Sequence, residues 1–198
     1  MRILIRGKVL LAGACMMAGL TAWGQAITQA KPPTPSTLDV AITYNTLRGN
    51  ITTGNSFWMQ GGGVQAHGQF WHGLGVVADI SGLHVDNMSH SGVGLDMVTA
   101  TFGPRYTWTR PRARYAVYAQ ALGGEAFGLN STFPGPLYAT STTNSLAMQL
   151  GGGVNLGLTR HTSLRLFEAD WLRTQMTNGT TYAQNNLRIG AGVIFRLP

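Results

Sequence analysis

The feature that most constrains this chain is its last strand-like stretch, Asn186 to Leu197. Leu187, Ile189, Ala191, Val193, Phe195 and Leu197 share one parity, while Arg188, Gly190, Gly192, Ile194 and Arg196 share the other. Successive side chains of an extended strand point to opposite faces. One face is therefore apolar throughout and carries an aromatic near the chain terminus. The other face is small or polar, apart from Ile194. A strand needs this pattern when its outer side meets hydrocarbon and its inner side lines a polar lumen.

Helical insertion does not fit the chain. No uninterrupted apolar run after residue 24 is long enough for a spanning helix. Any insertion must then be by a closed barrel, which leaves no backbone edge unpaired. The first 24 residues read as an export leader. Arg2, Arg6 and Lys8 form a basic start, Val9 to Ala22 an apolar run, and Ala22-Trp23-Gly24 offers small residues for cleavage. We expect cleavage after Gly24, with Ala26 as the alternative site. Cys15, the single cysteine, lies inside this segment, so the mature chain is expected to carry neither disulfide nor thiol nucleophile. An acylated Cys15 fits poorly, because Ala12-Gly13-Ala14 lacks a large aliphatic residue before it.

Loss of the leader lowers the formal net charge from +7 to +4, with 11 basic side chains against 7 acidic ones. Three of the remaining arginines sit together in Arg110-Pro111-Arg112-Ala113-Arg114, and there is no long basic stripe. The high pI reflects few charges overall, and no nucleic-acid partner is expected. Residues 25–37 contain Pro32, Pro33 and Pro35. Proline cannot donate to a sheet ladder, so this segment is expected to be an extended linker. The domain reading is thus a leader over 1–24, a linker over 25–37 and a barrel over 38–197.

Eight strands are expected. The first runs Leu38 to Leu47, with Leu38, Val40, Ile42 and Tyr44 on one face, and Arg48 to Ser56 follows as a polar loop. The second, Phe57 to Gly68, turns Trp58, Val64 and Ala66 outward and Gln65 and His67 inward. The third, Gly73 to Gly82, turns Leu74, Val76, Ala78 and Ile80 outward and Asp79 inward. In the fourth, Asp96 to Trp108, Pro104 predicts a bulge or a locally broken pair. The fifth, Arg114 to Phe127, leaves the facing of Glu125 open, because Gly123-Gly124 can hide a bulge. The sixth, Ser145 to Leu158, alternates most cleanly.

The seventh strand, Thr162 to Thr174, breaks the pattern, because Leu164 and Leu166 share parity with Glu168 and Asp170. A charge facing lipid costs up to about 2–4 kcal/mol, less for acids and near the interface. A bulge near Phe167 resolves the conflict by shifting the register by one residue. Leu164, Leu166, Ala169 and Trp171 then face out, and Arg165, Glu168 and Asp170 face in.

Long connections follow strands one, three, five and seven, and short ones follow two, four and six. The expected fold class is therefore all-β: an eight-stranded antiparallel up-and-down transmembrane β-barrel with four long loops and three short turns. Aromatics gather at the strand ends. Phe70, Trp71, Tyr106, Trp108, Tyr115 and Phe195 lie at the turn end, and Phe57, Trp58, Phe127 and Trp171 at the loop end. Two interfacial girdles are expected from them.

Two resemblances join this reading. Arg188, Gly190, Val193 and Phe195 fill the places of the C-terminal signal by which bacterial outer-membrane barrels reach their assembly machinery. That signal stops on its aromatic, whereas this chain continues Arg196-Leu197-Pro198. From about Thr37 to Leu197 the chain resembles the small outer-membrane β-barrels of the OmpA and OmpX kind. Its Gly103-Pro104-Arg105-Tyr106-Thr107 and Asn185-Asn186-Leu187-Arg188 segments are similar to those of outer-membrane β-barrel domains. The resemblance implies a barrel in the outer membrane of a Gram-negative cell, with membrane lipid around it, and no defined activity.

The expected inward charges are Asp79, Arg105, Arg165, Glu168, Asp170 and Arg188. An eight-stranded lumen is just wide enough to be filled by side chains, and buried charges there must be paired. We expect a structural ion-pair network. The alternative is a narrow pore whose permeation the network controls. Of the five histidines, His67, His72, His84, His90 and His161, none belongs to a metal-ligand motif, and neither metal nor cofactor is expected.

A loop site from His84, Asp86 and His90 is weaker than simple loop polarity. His90-Ser91 invites comparison with outer-membrane lipid A deacylases, but their His-x-Ser-Asn order is absent. The sequons at Asn50, Asn87, Asn130 and Asn178 reflect loop composition. Gly61-Gly62-Gly63 and Gly151-Gly152-Gly153 lack the context of phosphate loops and instead let strands bend or large neighbours pack. The expected role is structural or surface-interacting, without enzymatic activity. It competes with two readings from different classes: a soluble lipocalin-like ligand-binding barrel, and an outer-membrane enzyme that modifies lipid. The sequence names no partner for the loops.

Overall fold

The computed structural model describes residues 38–52, 55–88, 92–134, 138–176 and 183–197. The leader, Cys15 and the proline linker lie outside them, as do His90, Ser91 and the Asn178 sequon. Eight strands follow one another: β1 (Leu38–Thr52), β2 (Asn55–Trp71), β3 (Leu74–Val85), β4 (Leu95–Thr109), β5 (Tyr115–Leu129), β6 (Thr143–Gly157), β7 (Thr162–Thr174) and β8 (Gln184–Leu197). Each pairs antiparallel with the next, and β8 pairs back onto β1 from Leu38↔Leu197 to Arg48↔Leu187. Closure of the barrel leaves the sheet without an edge strand.

Parity decides which way each side chain points. Ile42, Val64, Ile80, Phe102, Leu146, Leu150 and Phe195 are exposed on the outer surface. Thr43, Asn45, Gln65, Asp79, Thr99, Thr101 and Arg188 are buried inside. The polarity is that of a soluble barrel reversed. Phe102 is 69% and Ile80 61% exposed, whereas Arg188 is 1% exposed. Ile194, the odd member of its face in β8, points inward and is 4% exposed.

The seventh strand carries its bulge at the expected place. Val154 pairs with Phe167 and Asn155 with Arg165, so Leu166 is the extra residue. Leu166 and Phe167 are both exposed, and on either side Arg165, Glu168 and Asp170 are buried. The irregularity lets one strand keep apolar residues outside and charges inside.

At Pro104 the register does not shift. Phe102 pairs with Gly123 and Arg105 with Gln120 in unbroken sequence, while Gly103 and Pro104 make no pair with β5. The proline's missing donor costs a local gap and no bulge. Gly123 and Gly124 likewise hide no bulge, so Glu125 faces outward, opposite Ala100 and Leu146.

Two expectations change. The polar stretch Arg48–Ser56 is mostly ladder, since Arg48 pairs with Trp58, Gly49 with Phe57 and Thr52 with Asn55. Polarity there marks where the apolar outer band ends, and the hairpin continues past it. Phe57 does not join the loop-end girdle, because its parity turns it inward, where it is 6% exposed. Trp58 and Trp171 remain outside at that end, and Phe70, Trp71, Tyr106, Trp108, Tyr115 and Phe195 at the other.

The turn between β2 and β3 is two residues long, with φ of 32° at His72 and 93° at Gly73. Consecutive positive φ values match the twist of the flanking strands. A Cβ at Gly73 would also lie 2.4 Å from the Thr107 carbonyl oxygen. The tight turn therefore needs glycine twice over.

Candidate functional site

Among the described residues, the lumen is where this fold gathers its chemically active side chains, and it is built in three levels. The middle level is ionic. Arg188, from β8, is its centre: Nη2 lies 2.8 Å from Asp79 Oδ2, 2.9 Å from Asp170 Oδ2 and 3.3 Å from Glu168 Oε1. Its Nη1 donates to Asp79 Oδ1 and Ser81 Oγ, both at 3.1 Å. Its Nε donates to Asp170 Oδ2 at 3.2 Å. One guanidinium thus meets Asp79 of β3 across the lumen and Glu168 and Asp170 of the adjacent strand β7.

Arg165 pairs with Glu168 at 2.7 Å. Arg105 donates from Nε to Gln120 Oε1 at 3.0 Å. The guanidinium carbons of Arg105 and Arg165 sit 4.3 Å and 5.0 Å from the centroid of the Tyr118 ring. Both contacts are in the range of cation–π attraction. The Tyr118 hydroxyl donates to Glu168 Oε2. Asp79, Arg105, Arg165, Glu168, Asp170 and Arg188 are all at most 3% exposed. The fold therefore brings the six charges read from the sequence into one connected assembly.

Neutral side chains hold that assembly together. Gln65 Oε1 accepts from Arg105 and Arg165, and its Nε2 donates to Asp79 Oδ2 at 2.6 Å and Glu168 Oε1 at 2.8 Å. Its amide is used at both ends, between the cations and the acids. Gln120 repeats the arrangement, accepting from Arg105 and donating to Asp170 Oδ1 at 3.0 Å. Reading only charged residues misses Gln65, Gln120 and Tyr118. Their signal in the sequence is inward parity at the height of the charges.

Glycines make the room. A Cβ at Gly151 would lie 2.1 Å from Asp170 Oδ1, and one at Gly153 would lie 2.7 Å from the Tyr118 hydroxyl. Both face the lumen from β6, so the Gly151–Gly153 run admits the large side chains opposite. Gly190 has a similar reason, because its Cβ would lie 2.3 Å from Asn45 Oδ1. Two residues of the C-terminal motif, Arg188 and Gly190, thus have packing duties of their own. Val193 and Phe195 lie on the outer face, Phe195 at the turn end.

The level at the loop end is apolar. Leu47, Phe57, Met59, Leu83, Leu95, Met97, Ala126, Ala147, Leu172 and Met176 form one buried cluster, capped by Phe133 from the loop after β5. Phe133 is fixed by backbone bonds to Thr140 in both directions, each 2.9 Å. Strand parity alone does not announce this plug. At the turn end lies a cavity of about 230 Å³ with a mixed lining, in which Arg105, Arg165, Arg114 and Arg196 stand beside Ala41, Ala116 and Ile194.

Outside the lumen, His84 bridges two acids above the apolar band. Its Nε2 lies 2.9 Å from Asp86 Oδ1 and its Nδ1 bonds Asp96 Oδ1. Asn130 donates to Asp96, so the loops after β3 and β5 are tied together there. Among the described residues no cluster of three or more potential metal ligands is found.

No family model and no curated protein matches this sequence. Solved structures do match. Neisserial surface protein A superimposes with a TM-score of 0.63 at 12% identity, over 82% of this chain and 98% of that one. Ail, the attachment invasion locus protein of Yersinia pestis, superimposes with a TM-score of 0.55 at 14% identity, over 82% of this chain and all (100%) of that one. Ail in complex with the heparin analogue sucrose octasulfate gives 0.53 at 16% identity, with 82% and 100% covered. At such identities the likeness is one of fold. The chain has the fold of these small eight-stranded barrels.

Proposed function

We propose that this chain is an integral protein of the bacterial outer membrane, serving as a structural component and presenting its loops for surface contacts. The reversed polarity carries this reading. A continuous belt of exposed Ile, Leu, Val and Phe encloses buried Arg, Asp and Glu. Contiguous apolar patches beyond a few hundred Å² are rare on water-soluble monomers, whereas a membrane barrel requires such a belt. A lipocalin-like ligand carrier needs the opposite parity.

On this reading the turn end faces the periplasm and the loop end the cell exterior. Residues 1–24 act as the export leader, removed near Gly24, and residues 25–37 are the proline-rich linker ahead of the barrel. Arg188, Gly190, Val193 and Phe195 serve as the signal met by the assembly machinery. The apolar plug and the ion network close the lumen at two heights, which favours a sealed barrel over a narrow pore.

Heat-modifiability tests the reading. The full chain is expressed in a Gram-negative host, and outer membranes are run on gels with and without boiling. Recovery in the outer-membrane fraction with a mobility shift on boiling is expected. A periplasmic protein with no shift sinks the proposal. Purified protein in planar bilayers should carry no steady current, and a reproducible unit conductance would overturn the sealed-lumen part.

A further inference from the structure

The charges of the lumen balance in number but not in position. Arg188 takes contacts from Asp79, Glu168 and Asp170, and Arg165 takes Glu168. Among the described residues no such ion pair reaches Arg105, whose partners are the amide oxygens of Gln65 and Gln120 and the face of Tyr118. Negative charge is thereby drawn toward Arg188, and positive charge is left toward the turn end. Arg105 is nevertheless 3% exposed. Glu168 and Asp170 reach it only at longer range, and a buried cation without a direct ion pair is costly unless something else neutralises it.

Space for a neutralising group is present. Arg105 and Arg165 form the floor of the 230 Å³ turn-end cavity, and Arg114 and Arg196 stand at its rim. Among the described residues, Asp39 is the only carboxylate in the lining, 3.9 Å from both Arg196 and His67. The His67 imidazole also lines the cavity, and its buried Nε2 has no hydrogen-bond partner. The volume is many times what one water needs and somewhat below the ~300 Å³ where drug-sized sites begin. The ionic level and the apolar plug close it from above, so it is a blind vestibule that a solute enters and leaves by one mouth. Guanidinium groups suit planar or tetrahedral oxyanions, because their paired donors match two oxygens at once.

We propose that this vestibule binds a small multivalent oxyanion bearing phosphate or carboxylate groups, taken up at the turn end. Its facing the periplasm rests on the proposed membrane location, but the binding itself requires only the folded barrel. Four guanidinium groups attract the anion, and low-dielectric walls strengthen that attraction. The ligand supplies the direct ion pair that Arg105 lacks among the described residues.

The full chain in detergent micelles, its fold verified by the mobility shift on boiling, is titrated with inorganic phosphate and separately with citrate. Sodium chloride at matched ionic strength is the control. Calorimetry should report saturable binding of at least one anion, and amide resonances near Thr109, Arg114 and Arg196 should move while those near Phe133 do not. Phosphate alone indicates a tetrahedral group, citrate alone a carboxylate. Arg114→Gln with Arg196→Gln, at a rim where folding is little affected, should weaken binding by about tenfold or more, the scale of one lost charge-assisted bond. Arg105→Gln should weaken it further. A heat-modifiable protein that binds neither anion beyond the chloride control overturns the vestibule and leaves the membrane reading standing. Binding unchanged in the rim variant also overturns it. A chain without the shift fails both readings.

Discussion

Arg188 and Asp79 meet across the lumen with both terminal guanidinium nitrogens engaged. Nη2 is 2.8 Å from Oδ2 and Nη1 is 3.1 Å from Oδ1. The two residues come from β8 and β3, which are not neighbours in the barrel wall. This bidentate pair therefore ties opposite walls together, which no backbone ladder can do. Its geometry is the planar fork that lysine cannot reproduce.

Removing the guanidinium should leave three buried carboxylates facing one another. Arg188→Met is expected to lower stability by about 3–5 kcal/mol, the usual cost of breaking a buried pair from one side. Arg188→Lys should recover only part of it. Urea unfolding in micelles, followed by loss of the fast-migrating gel form, measures both. Equal midpoints for wild type and Arg188→Met would contradict the central role of this contact.

The lumen-facing glycines of β6 should not tolerate a methyl group. Gly151→Ala places a Cβ 2.1 Å from Asp170 Oδ1, whereas a Cβ at Gly123 meets nothing within 4 Å. Overpacking of this kind costs about 1–3 kcal/mol. Gly123→Ala, on the outer face, should stay within about 0.5 kcal/mol of wild type. The contrast is read from the same unfolding midpoints.

Leu166 is the extra residue of the β7 bulge, so deleting it leaves Arg165 inward, Phe167 outward and Glu168 inward in strict alternation. Both halves of the strand keep their faces, and the deletion should still yield heat-modifiable protein from membranes. Deleting Ala169 is different, because alternation then resumes only with Phe167 turned inward and Glu168 outward, at the loss of its pair with Arg165 and with a charge toward lipid. That deletion should abolish recovery of heat-modifiable protein. Equal recovery of the two deletions would contradict the assignment of Leu166 as the extra residue.

Leu172 and Leu150 are both leucines on barrel strands, one 0% exposed in the plug and the other 46% exposed outside. Leu172→Ala leaves a cavity that close-packed neighbours fill poorly, at about 2–5 kcal/mol. Leu150→Ala leaves a dent that lipid or detergent can fill, so its cost should be smaller. If the outer substitution proves the more damaging, the plug is not a packed core.

Parity makes much of this molecule legible in its sequence. The alternations in β6 and β8 are readable residue by residue, and the conflict between Leu166 and Glu168 locates the bulge. The partners of each charge are not readable, because they depend on the stagger between strands, which no single strand encodes. Gln65 reads as inward, yet its place between two arginines and two acids emerges only when β2, β3, β4 and β7 are closed together. The plug is hidden for another reason. Inward residues change character along each strand, from Asn45 to Leu47 on β1 and from Thr99 to Met97 on β4. A reading that assigns each face one character conceals that gradient. Phe57 is misplaced when its aromatic type is weighed above its parity.

The seam between β1 and β8 has a consequence for how the barrel is made. Every other pairing joins strands adjacent in the chain, but this one joins Leu38 to Leu197 and Arg48 to Leu187. Such contacts are slow to form, because the chain entropy of a long loop is lost before the pairing compensates for it. Closure should therefore be the last and rate-limiting event of folding. Until it occurs, two strands stand with open backbone edges, each a template for pairing with another molecule. The nascent protein is safe only if those edges are shielded until its ends meet.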